Sequence, residues 1–155
     1  MSHEWAYAVA MATTGVEVAF ELKRVVTEYN AAFAAHLRPL GLTTLQAEAL
    51  IALDDLGPVR LKQLANHLVA ESGHPSRLVT RLERDGLAAR GSSESEAVLI
   101  RLTERGSRLA AQSRTIRDQL ADALAEALGA DLAVVQPGLR RGRVRMTRER
   151  IATHR

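Results

Sequence analysis

The sequence predicts a mainly α protein with one small β-hairpin. Aromatic residues are only 3% of the chain, and its Ala, Leu and Arg content suits helices far better than sheets. Apolar residues recur with helical spacing in several segments. One stretch alone, Leu87 to Leu102, has the short apolar runs and turn-forming centre of a hairpin. With 155 residues, 46% of them apolar, the chain fits one domain with ample material for a core.

The elements follow in order. Val18, Leu22, Val25, Tyr29 and Phe33 form a helical stripe opposite Glu17, Glu21, Arg24 and Glu28, a long first helix stopped after about Leu37 by Pro39 and Gly41. Thr43 with Gln46 makes a capping box that opens a second helix, closed by Gly57-Pro58. Leu61, Leu64, Ala65 and Leu68 mark a compact third helix, and Glu71-Ser72-Gly73 the turn after it. Pro75 suits a first helical turn and Gly86 the residue just past an end, so GHPSRLVTRLERDGL holds a fourth helix of about three turns. At about 100° per residue, Ser76, Arg77, Thr80, Arg81 and Arg84 share its front, and Leu78, Val79 and Leu82 its back. Leu87-Ala88-Ala89-Arg90 and Ala97 to Leu102 pair as the hairpin. Thr103 caps a long helix ending near Gly129, and a last helix starts at Asp131, is broken or kinked at Pro137-Gly138, and runs on through an arginine-rich end. That order is a winged helix-turn-helix with helical extensions at both ends.

Composition narrows the chemistry. No cysteine is present, which removes disulfides, thiolate catalysis and thiol redox sensing. His3, His36, His67, His74 and His154 are too scattered for metal-ligand spacing. No nucleophile elbow, P-loop, GxGxxG or paired catalytic carboxylate is written in the chain. Neither an enzyme, a cofactor nor a metal is expected. The apolar start lacks a basic leader and is too short for a membrane span, so no membrane association and a cytoplasmic location are expected. Charge is uneven: residues 1–56 carry 3 basic and 7 acidic groups, residues 57–106 carry 8 and 6, and residues 107–155 carry 10 and 5. A basic middle and end point to a polyanion on one side of the molecule. The arginines at 140, 141, 143, 145, 148 and 150 fit either DNA phosphate or a helical face paired with acids of the first 56 residues.

LTTLQAEALIALDDLGPVRLKQLANHL, then PSRLVTRLERDGLAAR, then VLIRLTERG, resemble the MarR family of bacterial transcriptional regulators, with the family's Leu-Thr-x-x-Gly at Leu102, Thr103 and Gly106. The likeness spans roughly residues 40 to 106. It implies a single unit, 1–155, in which 40–106 is the DNA-binding lobe and the helices of 1–39 and 107–155 interlock two copies as a homodimer. Its partner would be double-stranded DNA carrying a pseudo-palindromic operator, its role that of a repressor relieved by a small-molecule effector. The resemblance carries base-edge or groove contact to His74, Ser76, Arg77 and Arg81, and phosphate contact to Thr80 and Arg84. Arg90 and Arg101, at the hairpin base, are expected to reach flanking phosphates. Tyr29, Phe33 and His36 are the expected effector contacts, against the plainer account that they pack a core or dimer surface. The wing departs from the family: its Asp-x-Arg pattern falls on Glu94-Ser95-Glu96, so a glutamate stands where relatives send an arginine toward the minor groove. The competing reading from another class is a winged-helix protein-interaction module, or a degenerate paralogue that binds DNA weakly; a salt-dependent affinity for random duplex separates them.

Overall fold

The computed structural model describes residues 14–68, 74–92 and 98–152. The chain divides into two compact units, Met1–Arg117 and Asp118–Arg155.

In the first unit, α1 (Gly15–Leu37) opens on a capping box in which Thr14 Oγ1 accepts from the Glu17 amide at 3.2 Å and Glu17 Oε2 accepts from the Thr14 amide at 2.7 Å. Pro39 prevents the helix from simply continuing, a 3-10 turn spans Arg38–Leu40, and Gly41 takes φ 68° to redirect the chain. Burial is confined to the helix's end, at Phe33 and Leu37, whereas Val16, Val18, Phe20, Leu22, Val25 and Val26 are exposed in the single chain. The predicted stripe therefore reaches the core only at Phe33, with Tyr29 half-buried and Val18, Leu22 and Val25 on open surface.

Helix α2 (Thr44–Leu56) supplies the centre of the core, with Ala47, Ala49, Leu50, Ile51, Ala52 and Leu53 all buried. After Gly57, Val59 exchanges two backbone hydrogen bonds with Ile100, tying the short link to the hairpin. Next come α3 (Leu61–His67), whose Leu64 is fully buried, and α4 (Pro75–Arg84). The turn residues Glu71, Ser72 and Gly73 lie outside the described residues. β1 (Ala88–Ser92) and β2 (Val98–Leu102) pair antiparallel with Arg90 opposite Ile100. The first strand starts one residue later than predicted because Leu87 serves as a connector: its amide bonds back to Leu82 O at 2.8 Å and its carbonyl accepts from the Thr103 amide at 3.1 Å. The wing tip Glu94-Ser95-Glu96 is outside the described residues, as are His3 and His154.

Helix α5 (Glu104–Leu128) starts in the first unit and ends in the second, which continues through a 3-10 turn at Gly129–Asp131 into α6 (Leu132–Ala152). Of the break or kink expected at Pro137-Gly138, the break does not occur; α6 continues through Pro137 as one element. Proline removes one intrahelical bond, to the carbonyl of Ala133, and Ala133 is exposed, so solvent can serve that oxygen.

Candidate nucleic-acid interface

Helix α4 is fixed from behind and at its C-terminal end. Leu78, Val79 and Leu82 are 4%, 0% and 0% exposed, so the back of the helix is wholly in the core. His74 enters in extended conformation, its carbonyl accepting from the amides of Arg77 and Leu78, and Pro75 occupies the first turn. At the far end Gly86 takes φ 68°. Gln46 Nε2 donates to Asp85 Oδ2 at 3.0 Å while Gln46 Oε1 accepts from the Thr43 amide, so one glutamine caps α2 and holds the end of α4. Arg105 Nη1 adds a bond to the Asp85 carbonyl at 3.0 Å.

The leucine-threonine-glycine motif finishes the clamp. Thr103 Oγ1 donates to Gly86 O at 2.8 Å and accepts from the Gly106 amide at 3.0 Å. A Cβ on Gly106 would lie 1.9 Å from Leu87 O, so only glycine lets α5 approach the chain leaving α4 this closely.

With its back buried, α4 presents His74, Ser76, Arg77, Thr80, Arg81 and Arg84 to solvent. Arg77 and Arg81 make no side-chain hydrogen bond or ion pair among the described residues, leaving both guanidinium forks available for a planar acceptor. Thr80 Oγ1 donates to Ser76 O at 2.9 Å, which directs its proton along the helix and leaves its lone pairs outward. Arg84 touches Asp85 at 3.3 Å through Nε only, on a side chain that is 74% exposed. His74 makes no side-chain capping bond.

The hairpin base differs in character. Arg90 donates from Nη1 to Glu83 Oε2 at 2.6 Å, and its own amide donates to Glu83 Oε1 at 3.1 Å. Its charge is thus already matched within the lobe. Arg101 is exposed, with its guanidinium alongside Gly91. Glu83 was not singled out in the sequence, although its place one helical turn before Leu87 and seven residues before Arg90 is the signal that could have found it.

On α1, Tyr29 is half-buried with its ring 6.5 Å from that of Phe33 at 40°. Phe33 is only 2% exposed and so has almost no free surface. His36 is exposed, its Nδ1 2.8 Å from Ala32 O. A cavity of about 370 Å³ lies elsewhere, lined by Glu48, Ile51, Ala52, Asp55, His67, Leu68 and Arg117. Beside it Arg114 Nη2 bridges Asp54 at 2.8 Å and Asp55 at 2.7 Å, and those hydrogen bonds, Asp55 foremost, hold the guanidinium charge more firmly than usual. Burial pushes the Glu48 carboxyl up from its ordinary value. The sequence carried a faint signal for this site: Glu48 is the one charge in the run Leu45–Leu53. Among the described residues no three His, Asp or Glu side chains gather to hold a metal, and no helix is long and apolar enough to cross a membrane.

Comparison with known proteins agrees with this geometry. The MarR family model matches residues 42–96. An HTH-type transcriptional regulator of Bacillus anthracis is 31% identical over 109 residues, covering 70% of this chain and 72% of that protein. A MarR family protein from Bacillus stearothermophilus superposes with a TM-score of 0.65 at 26% identity, over 85% of this chain and 94% of that one. Bordetella bronchiseptica BpsR, whose DNA binding is regulated by 6-hydroxynicotinic acid, shares the fold with a TM-score of 0.69 at 22% identity, over 83% and 98% of the two chains. Family and fold are those of transcriptional regulators rather than enzymes. With that sequence match over more than two thirds of a regulator, and a lobe whose packing explains the motif residues one by one, the chain belongs to the MarR family of transcriptional regulators.

Proposed function

We propose that the chain acts as a homodimer that binds pseudo-palindromic duplex DNA through α4 and represses transcription until a small molecule binds. One observation carries this reading: Arg77 and Arg81 stand exposed and without a partner among the described residues, on a helix whose opposite face is buried and whose C-terminal end is bonded to α2 and α5. A helix so held can enter a major groove, where an arginine fork pairs with guanine O6 and N7. His74 and Ser76 sit at the same entering end and are proposed to reach base edges, while Thr80 and Arg84 take phosphate oxygens. Arg101 is proposed as a flanking phosphate contact, and Arg90 as one only if it exchanges Glu83 for the backbone of DNA.

In this reading residues 40–106 form the DNA-binding lobe of a single functional unit, 1–155, and the helices of 1–39 and 107–155 bring two copies together. Val18, Leu22 and Val25 of α1, which share one helical face and are exposed, support that assignment, because an apolar face of this kind is commonly covered. Relief by a small molecule is supported by BpsR, which responds to one. Tyr29 and His36 are proposed as effector contacts on α1, joined by Phe33 if binding opens its packing.

The test is an alanine series on a duplex selected from a random pool. Arg77→Ala and Arg81→Ala should each lose about 1–3 kcal/mol on the selected sequence and relax base preference, while Arg84→Ala weakens all duplexes alike. A change of base preference with Arg84→Ala and none with Arg77→Ala would refute the assignment of this face.

A further inference from the structure

The cavity between α2, the end of α3 and α5 has a charge arrangement that selects its occupant. Its volume, about 370 Å³, is that of a small-molecule site. Ile51, Ala52 and Leu68 give it apolar walls. Three groups in its lining are charged at neutral pH, and two are already engaged. Asp55 is held by Arg114 at 2.7 Å. Arg117 is likewise not free. Glu48 is the exception, making no hydrogen bond or ion pair among the described residues although it is half-buried beside Ala47, Ala49 and Leu50 of the core. A carboxylate partly withdrawn from water without a partner destabilises the empty site, and whatever supplies a positive donor there recovers that loss. Burial raises the Glu48 pKa, as expected for a carboxyl whose charge is not compensated.

We infer that this cavity binds a small apolar cation, an amine or amidine on a compact hydrophobic body, with Glu48 as its counter-ion. The apolar body lies against Ile51, Ala52 and Leu68, and His67, exposed on the rim, covers it from the α3 side. An anion of the same shape meets the unpaired carboxylate, while the nearby guanidinium groups of Arg114 and Arg117 are already engaged. Leu68 is the residue at which α3 ends, its amide bonding to Leu64 O at 3.3 Å, and the next helix in the chain is α4, from Pro75. A body wedged between α2 and Leu68 therefore bears on the end of α3, the helix that precedes α4 in the chain. This last step rests on the DNA-binding reading above; ligand binding itself does not.

The full-length protein is titrated without DNA by calorimetry, using 2-phenylethylamine and 3-phenylpropionate as matched bodies of opposite charge. The amine should bind at least about tenfold more tightly, the ratio expected from one charge-assisted hydrogen bond. Glu48→Gln should remove that preference, and Glu48→Lys should reverse it, with circular dichroism confirming that both fold. Equal or tighter binding of the carboxylate, no binding of either probe, or an amine affinity unchanged by Glu48→Gln overturns the inference. Duplex affinity is then measured with and without the amine. If the ligand-free protein fails to bind any duplex, the DNA-binding reading falls while the cavity result stands; if it binds duplex and the amine leaves that affinity unchanged, the coupling step falls.

Discussion

Single residues carry much of the lobe's geometry, and Gly106 shows how. Its Cα faces the Leu87 carbonyl so closely that an added methyl would come within 1.9 Å of that oxygen, a backbone atom that cannot swing aside. Gly106→Ala should therefore lose about 3 kcal/mol or more of stability, read as a lower denaturant midpoint, and a melting temperature equal to wild type would refute the close approach. Thr103 and Gly106 were legible in the sequence as a family motif, but their reason was not. The partners, Gly86 and Leu87, are 17 and 19 residues away, and nothing local signals the approach. Glu48 gives the opposite case, a residue whose environment opposes its charge. Its carboxyl pKa lies above the ordinary 4.5, so the folded chain holds that proton more tightly than the unfolded one. The resulting stability is fully present below the unfolded value and is lost as pH rises through the folded value. Glu48→Gln should accordingly melt with wild type near pH 4 and above it at pH 7; a variant less stable at pH 7 would show that the carboxylate has a favourable partner.

Among the elements, boundaries were easiest to read where a side chain closes them locally. The Thr43–Gln46 box, Pro75 at the start of α4 and Gly86 after it lie where the sequence placed them, because caps and φ restrictions act over three or four residues. Pro137 does not break α6, since an exposed helix tolerates one missing bond. The hairpin was legible as a pair of strands, yet the engagement of Arg90 by Glu83 was not, and it changes what the wing can offer. With Arg90 paired at the base and Glu94 and Glu96 in the sequence of the tip, the wing should have little attraction for a minor groove whose potential is negative. Glu96→Arg should tighten duplex binding and steepen its salt dependence by about one phosphate equivalent. Unchanged or weaker binding, or wild-type protection of the minor groove beyond the α4 contacts, would show that the wing already enters.

For the whole molecule, the question that a single chain poses is what covers α1. Val16, Phe20 and Val26 are each more than half exposed, an arrangement that a lone chain in water does not favour. Sedimentation at micromolar concentration should give a dimer, and a stable monomer would remove the symmetric reading of an operator. Sequence periodicity displayed the stripe Val18, Leu22, Val25, Tyr29 and Phe33 without saying that only its end at Phe33 enters the core, because core burial and a covered surface select apolar residues at the same spacing.

The bonds joining Gly86, Leu87 and Thr103, with Gly106 pressed against them, leave no slack between α4 and the root of α5. Such a joint turns as a block. Inserting one base pair between two half-sites rotates the second by about 34° about the DNA axis and shifts it along that axis. A flexible tether would absorb that mismatch by swivelling, and this joint has none to give. For the proposed dimer on paired half-sites, spacer length should thus be constrained by a threonine and a glycine that lie outside the proposed contact face.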